Sequence, residues 1–380
     1  MVADLGSRRI LIVGMTENPG GMESVIINHF RRFSKKGVHA DFLTYAEHVS
    51  YEDEIRQAGS RIFVMKSRRQ APLTFRRDLR KFFTQHQGEW DTLWMNTCNL
   101  SNIDFLSMAA EAGIDRRIIH CHNSRPMDHD VLRAALHKVH QKTVLKYATE
   151  CWSCSNVASS WFYGPGIFDD SRYRYVPNSV DPREYRFDEQ IRKKKRLELG
   201  IAPDEIVLGN VGRLHMQKNQ VLLLRAFRKL IDMNASDVRY RVLLIGDGAD
   251  RKMLERTADE LGIRSSIDFL GRRADVSELY QVLDIFAMPS LFEGVSIALL
   301  EAQSNGLPCL IADTLSDEGL VNDNIKKLPI SPTEKIADVP EAWAIAISNL
   351  GPHPGRTSSI KIVGSAYDIT EHDSLFSVEK

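Results

Sequence analysis

Two glutamates stand eight residues apart in Phe292-Glu-Gly-Val-Ser-Ile-Ala-Leu-Leu-Glu301. The apolar run after Ser296 predicts a helix over 296–305, with Glu293 ahead of it and Glu301 about a turn and a half inside. Gly294 admits a close backbone approach, and Ser296 is of a type that caps helix amino ends. Amides exposed at such an end, with the helix dipole behind them, form an anion site suited to a diphosphate. A carboxylate beside it can accept hydrogen bonds from sugar or ribose hydroxyls. An ordinary capped helix with one glutamate on its solvated face would give the same pattern. Further up the chain, Gly212-Arg213 and Lys218 follow an apolar run. Two cations there can hold a diphosphate through charge-assisted contacts of about 1.5–3 kcal/mol each. A departing nucleoside diphosphate gains negative charge in the transition state, and cations already in place stabilise it without reorganisation.

These groups need strands that end beside them. Residues 8–14 (RRILIVG) read as a strand, 15–21 as a turn-rich loop, and 22–35 as a helix with Val25, Ile26, Ile27, Phe30 and Phe33 at helical spacing. Further strands are predicted over 38–44, 61–65, 92–96, 117–120 and 150–153, with helices between them. Such alternation implies a parallel sheet covered on both faces. A last strand and turn at 173–182 and a charged helix over 186–198 form the connection to a second domain. There the pattern restarts, with strands over 205–211, 239–245, 267–270, 285–288 and 309–312. Helices are predicted over 221–231, 250–261, 275–283 and 296–305. Arg213 and Lys218 thus fall at a strand's carboxyl end, where open α/β sheets bind ligands. Residues 351–359 read as a loop. The segment 369–380, with Leu375, Phe376 and Val378 as its apolar anchors, either returns to the first domain as a helix or frays. The division expected is 1–182 for the first domain, 183–365 for the second and 366–380 for the returning segment.

A chain of 380 residues with 43% hydrophobic and 26% charged residues has the composition of a folded globular enzyme rather than a disordered chain. Its net charge of zero is unevenly placed: residues 1–180 hold 24 Lys and Arg against 19 Asp and Glu, and the rest hold 26 against 31. The basic excess gathers in Lys66, Arg68, Arg69, Arg76, Arg77, Arg80 and Lys81, and in Arg133, Lys138, Lys142 and Lys146. It reads either as solvated helix faces or as a surface for an anionic membrane or lipid-linked acceptor. Nucleic acid is not an expected partner, since no motif that reads it accompanies these charges. No signal-peptide core or membrane-length apolar run is present, so a cytoplasmic location is expected, with peripheral contact on the inner face of the plasma membrane. The five cysteines, Cys98, Cys121, Cys151, Cys154 and Cys309, do not form a disulfide pattern, and the Cys151-Trp-Ser-Cys154 spacing reads as a structural strand. No metal-binding Asp-x-Asp motif stands out, and neither a metal nor a resident cofactor is expected.

The ordered set of motifs resembles glycosyltransferase family 4. It comprises Gly20-Gly21, His120-Cys-His122, Ser155…Phe162-Tyr-Gly164 and Val176-Pro-Asn-Ser-Val-Asp181. It continues with Val211-Gly-Arg-Leu…Gln217-Lys-Asn219, Ile245-Gly-Asp-Gly248, Phe269-Leu-Gly271 and Pro289-Ser-Leu-Phe-Glu-Gly294…Glu301-Ala302. These span most of residues 10–313, and the nearest flavour is that of capsule and exopolysaccharide transferases. The resemblance implies the GT-B architecture: an α/β protein of two Rossmann-like doubly wound parallel-sheet domains facing a cleft. It implies a retaining, metal-independent transfer of a hexosyl group from a nucleotide-diphosphate sugar, as co-substrate, to a glycan or lipid-linked acceptor. By the same resemblance Glu293 would contact the donor sugar, Glu301 the ribose, and Arg213 with Lys218 the diphosphate. The backbone of Gly294, Val295 and Ser296 would lie near phosphate and sugar, and that of Gly271 and Arg272 near the base. Gly20 and Gly21 would approach donor phosphate or acceptor, and His122 would line the reaction centre, with His120 a weaker candidate. One departure is Asn178-Ser-Val-Asp181 where the family has Asn-Gly-Ile-Asp, and motif matches thin out beyond Asp313.

Three other readings remain open at this stage. A nucleotide-sugar 2-epimerase shares the architecture, and a non-catalytic scaffold could retain the fold. An NAD-dependent oxidoreductase would need a GxGxxG fingerprint after the first strand, which Gly14…Gly20-Gly21 does not supply.

Overall fold

Short aliphatic runs set the framework. In Arg9–Val13 every residue but the first is buried, as a central strand covered on both faces requires. Alternate residues of this strand serve different cores: Leu11 and Val13 pack on one side, Ile10 and Ile12 on the other. The computed structural model describes residues 9–18, 20–123, 130–233, 238–333, 338–372 and 375–376. It divides into two compact units, one running up to Ser179 and resuming at Ile369, the other Val180–Asp368.

The first unit holds strands β1 (Arg9–Val13), β2 (His39–Thr44), β3 (Ile62–Val64), β4 (Thr92–Thr97), β5 (Arg116–Cys121), β6 (Glu150–Ser153) and β7 (Tyr173–Tyr175). Its helices are α1 (Gly21–Ser34), α2 (Glu52–Gln57), α3 (Phe75–Gln85), α4 (Asp104–Glu111), α5 (Val131–Gln141) and α6 (Asn156–Tyr163). The seven strands pair in parallel in the order β3-β2-β1-β4-β5-β6-β7. The order reverses between β1 and β4, the topological switch point of a doubly wound sheet. The chain's last described residues belong to this unit. After a single 3₁₀ turn at Ile369–His372, Phe376 is buried against Trp94 and Trp152, with ring centroids 5.0 and 5.4 Å away. Arg116 Nη2 donates to the Leu375 carbonyl at 2.9 Å. Val378 of the expected apolar anchors, and Arg8 of the expected first strand, lie outside the described residues.

The second unit repeats the plan. Its strands are β8 (Ile206–Val211), β9 (Tyr240–Ile245), β10 (Ile267–Gly271), β11 (Ile285–Met288), β12 (Cys309–Ala312) and β13 (Ile325–Leu328). Its helices are α7 (Glu189–Glu198), α8 (Gln220–Met233), α9 (Arg251–Glu260), α10 (Val276–Val282), α11 (Ile297–Ser304) and α12 (Val339–Ser348). The parallel order is β10-β9-β8-β11-β12-β13, with the switch between β8 and β11. Sequence reading did not place β13 or α12. The latter, Val-Pro-Glu-Ala-Trp-Ala-Ile-Ala-Ile-Ser, is apolar around most of its girth and packs on α8, so it carries no sharp amphipathic period.

No helix among the described residues is long and apolar enough to cross a membrane. Cys151 and Cys154 are buried and in no disulfide, and burial pushes the Cys151 thiol up to about 12. A protonated, enclosed thiol is neither a nucleophile nor a metal ligand. No cluster of three or more His, Cys, Asp or Glu among the described residues is placed to hold a metal ion.

Candidate active site

The second unit's switch point is built by two loops tied to each other. Gly212–Asn219 leaves β8 and contains a 3₁₀ turn at Met216–Lys218; 289–296 leaves β11. Leu291 N donates to the Gln217 carbonyl at 2.8 Å, and Gln217 Nε2 donates to the Phe292 carbonyl at 2.9 Å. Asn219, held at φ +52°, donates through Nδ2 to the Pro289 carbonyl at 3.2 Å. This stitching brings Lys218 Nζ within 2.7 Å of Glu293 Oε1, with both side chains largely buried. The contact is one of charge rather than an aligned hydrogen bond, since Glu293 Oε1 has no partner that meets hydrogen-bond geometry. The lysine stem crosses Gly212, where an added Cβ would meet Lys218 Cε at 3.1 Å.

The neighbouring strand ends are joined through backbone. Gly212 N donates to the Ile245 carbonyl and Gly246 N to the Gly271 carbonyl, each at 2.9 Å. Gly246 has φ +134°, and a Cβ there would fall 2.0 Å from the Gly212 carbonyl oxygen, so the close approach needs glycine. Gly271, at φ +66°, ends β10, and Arg272 follows it on the surface. Arg213 shares the β8 loop with Lys218, but its side chain is exposed and makes no ion pair or hydrogen bond among the described residues. Lys218 and Glu293 are therefore in direct contact, whereas Arg213 is associated with them only through its loop.

The start of α11 departs from expectation in one respect. Ser296 occupies the capping position, with φ −76° and ψ 120°, but its side chain makes no capping hydrogen bond. The first-turn amides are left uncovered by it, so what the position offers an anion is backbone N–H. Gly294 is exposed, and a Cβ added there would meet nothing within 4 Å. Val295 is buried beside it.

Glu301 is not on a solvated face. It is buried on α11, and both its oxygens accept from tyrosines: Oε1 from Tyr185 at 2.8 Å and Oε2 from Tyr280 at 2.9 Å. Burial raises its pKa, and the two phenols oppose that rise. Neither tyrosine was singled out from sequence. Tyr185 lies in an irregular stretch before α7 and Tyr280 reads as a core aromatic of α10, so only the fold reveals their meeting point. Gln217 and Asn219, by contrast, were visible within the motif around Lys218, though not as ties to the second loop.

The remaining candidates belong to the first unit. Gly20, extended at φ −134°, precedes α1, and Gly21 is its first residue, without any atom within 4 Å of an added Cβ. His122 follows β5; its amide donates to the Thr97 carbonyl, and Nε2 lies 2.9 Å from Asn96 Oδ1. With Asn96 Oδ1 as acceptor, Nε2 carries the proton and Nδ1 keeps a lone pair. Burial lowers the His122 pKa to about 3, so the ring is neutral. Its neighbour His120, 4.3 Å away between ring centroids, is fully buried and likewise depressed, first by burial. The loop that leads to Gly20 begins at Gly14, whose added Cβ would strike Asn96. Gly20 and Gly21 thus follow the carboxyl end of β1 and His122 that of β5, the two strands that flank β4.

A family model described as "Glycosyl transferases group 1" matches residues 191–349, which hold the paired loops, Glu293 and Glu301. The chain is 31% identical over 333 residues to EpsF of Bacillus subtilis (strain 168), which carries the name of a glycosyltransferase, with 85% of each chain covered. It is 31% identical over 158 residues to the UDP-Gal:alpha-D-GlcNAc-diphosphoundecaprenol alpha-1,3-galactosyltransferase of Escherichia coli, covering 41% of this chain and 40% of that one. Among solved structures, Anabaena HepE in complex with UDP and glucose superposes with a TM-score of 0.68 at 19% identity, over 98% of this chain and 100% of that one. That likeness is one of fold, GT-B. With two doubly wound parallel sheets and a relative this similar over most of its length, the chain belongs to the group 1 glycosyltransferases.

Proposed function

We propose that this glycosyltransferase moves a hexosyl group, with retention of configuration and without a metal ion, from a nucleotide-diphosphate sugar to a glycan or lipid-linked acceptor in bacterial polysaccharide synthesis. The observation that carries this reading is the tie between the β8 and β11 loops. It joins Lys218, Glu293 and the uncapped amino end of α11 at one switch point. The names of relatives support the substrate classes: HepE is described with UDP and glucose, and the Escherichia coli protein is named for a UDP-Gal donor and a diphosphoundecaprenol-linked acceptor.

In this reading Lys218 and Arg213 hold the diphosphate, while backbone at Gly294, Val295 and Ser296 lies against phosphate and sugar. Lys218 has three donors, so its contact with Glu293 leaves two for phosphate oxygens. Glu293 receives a sugar hydroxyl, Glu301 the ribose, and backbone at Gly271 and Arg272 faces the base. Gly20 and Gly21 approach donor phosphate or acceptor, and neutral His122 offers a lone pair or hydrogen bond to the reacting sugar. The leaving diphosphate is stabilised as its charge grows, so no general acid of the glycosidase kind is needed. Departure and attack occur on one face, with a donor phosphate oxygen taking the acceptor's proton.

Thermal shift with UDP-, ADP- and GDP-sugars identifies the donor, since a bound ligand raises apparent stability by mass action. NMR of the product tests the stereochemistry, and an inverted anomer would reject retention. Activity is expected to survive EDTA; a complete loss restored by metal would reject the metal-free reading. The basic groups of the first unit lie beside exposed Leu73 (97%), Val131 (82%) and Leu132 (70%), which supports peripheral contact with an anionic membrane. Cosedimentation with phosphatidylglycerol vesicles but not phosphatidylcholine vesicles is the expected result.

A further inference from the structure

The Glu301 carboxylate has four lone pairs, two on each oxygen. Tyr185 takes one on Oε1 and Tyr280 one on Oε2. Tyr280 has a single phenolic proton and two neighbours, Glu301 Oε2 and the Ala298 carbonyl, each at 2.9 Å. The Ala298 carbonyl lies within α11, where the helix's own amides can serve it, so the charged carboxylate is the stronger claimant. The two phenols reinforce one another. Tyr185 packs edge-on against Tyr280 at 5.6 Å between centroids, Tyr280 is fully buried, and Tyr185 is half-buried.

We propose that Tyr185 and Tyr280 are positioning residues for the donor ribose: their hydroxyls fix the Glu301 carboxylate and leave one lone pair on each oxygen for the two hydroxyls of the ribose diol. This deepens the proposed function and rests on Glu301 as the ribose ligand. A carboxylate buried without such donors would take up a proton and lose acceptor capacity. The groups that act on it are Tyr185 and Glu184 from the segment before α7 and Tyr280 from α10. Glu184 pushes its pKa up together with burial, and the phenols pull it down. Cys309 on β12, next to Tyr280, is itself a buried, protonated thiol. Removing a phenol therefore moves Glu301 toward protonation, and raising the pH favours the charged acceptor.

The test is calorimetric titration of the full chain with UDP, ADP and GDP, each against its 2′,3′-dideoxy counterpart, at pH 6.5 and 8.5. Wild type is expected to prefer the ribose form of its nucleotide by about tenfold or more. Tyr280→Phe should lose most of that preference at pH 6.5 and regain part of it at pH 8.5. Tyr185→Phe, on the half-buried ring, should show the same trend and serves if Tyr280→Phe does not fold. Equal weakening of ribose and dideoxy forms, at an unchanged ratio across pH, would reduce the tyrosines to packing and overturn the inference. A wild type indifferent to the diol would instead overturn Glu301 as the ribose ligand, and the inference with it. Binding to none of the three nucleotides would contradict the donor-binding reading itself, and the inference with it.

Discussion

The two units share a strand order and differ in the polar chemistry they bury. The first encloses histidines: His29, His120 and His122 are held neutral by burial, with His29 stacked on His372 at 5.8 Å. Ten of the chain's twelve histidines belong to this unit. Both units pair charges, as Arg116 with Glu150 and Arg61 with Asp41 in the first, but in the second the pairing reaches the switch point. Arg192 and Arg196 converge on Asp284 at 2.6 and 3.3 Å, Lys218 meets Glu293, and Glu301 sits between two phenols. A doubly wound sheet thus fixes where a ligand can bind, while the side chains at the strand ends decide its charge. Cations and open amides at the second switch point suit a diphosphate. Neutral imidazole and amide at the first suit hydroxyl groups.

If that division is right, perturbing each unit should fail in a different way. Lys218→Ala should lower transfer by about 10²–10³-fold, the range for removing one preorganised donor to a developing anion. Its far-ultraviolet circular dichroism should be unchanged, and near-wild-type turnover would break the contrast at its strongest point. In the first unit the largest effect should be on stability. Phe376→Ala empties a site packed against Trp94 and Trp152 and should cost about 3–5 kcal/mol in denaturant melts, leaving nucleotide affinity intact.

Acid should separate the units further. The folded pKa of His29 and of His122 is about 3, below the ordinary 6.5. Above pH 6.5 neither folded nor unfolded chain binds these protons. As the pH falls from 6.5 toward 3 the unfolded chain binds them and the folded one does not. Stability thus drops by about 1.4 kcal/mol per pH unit for each such histidine. Hydrogen exchange at pH 7.5 and 5.5, corrected for intrinsic rates, should show the first unit loosening more than the second. Equal loosening would erase the distinction. The smallest effect concerns Ser296. Because its side chain caps nothing, Ser296→Ala should change stability by less than about 0.5 kcal/mol, below the roughly 1 kcal/mol of an ordinary cap.

Much of the fold was legible because β-rich aliphatic runs alternated with amphipathic helices. The runs at 150–153, 285–288 and 309–312 coincide with β6, β11 and β12, and most other strands differ by a residue or two at their ends. What was missed lacked period. α12 is apolar on most sides. The candidate site was legible as types in order, Lys218 and Glu293 included. Its pairings were not, since Lys218 finds Glu293 and Glu301 finds Tyr185 and Tyr280 only when distant loops close. Ser296 shows the converse, a capping residue type whose side chain makes no cap.

In the proposed function the second unit holds the diphosphate at its switch point. The most direct measurement of that hold is calorimetric affinity for the nucleoside diphosphate that best stabilises the protein, in wild type and in Lys218→Ala. The account predicts binding at least about tenfold weaker in the variant, from the loss of one charge-assisted contact. Equal affinity in the two proteins would contradict it.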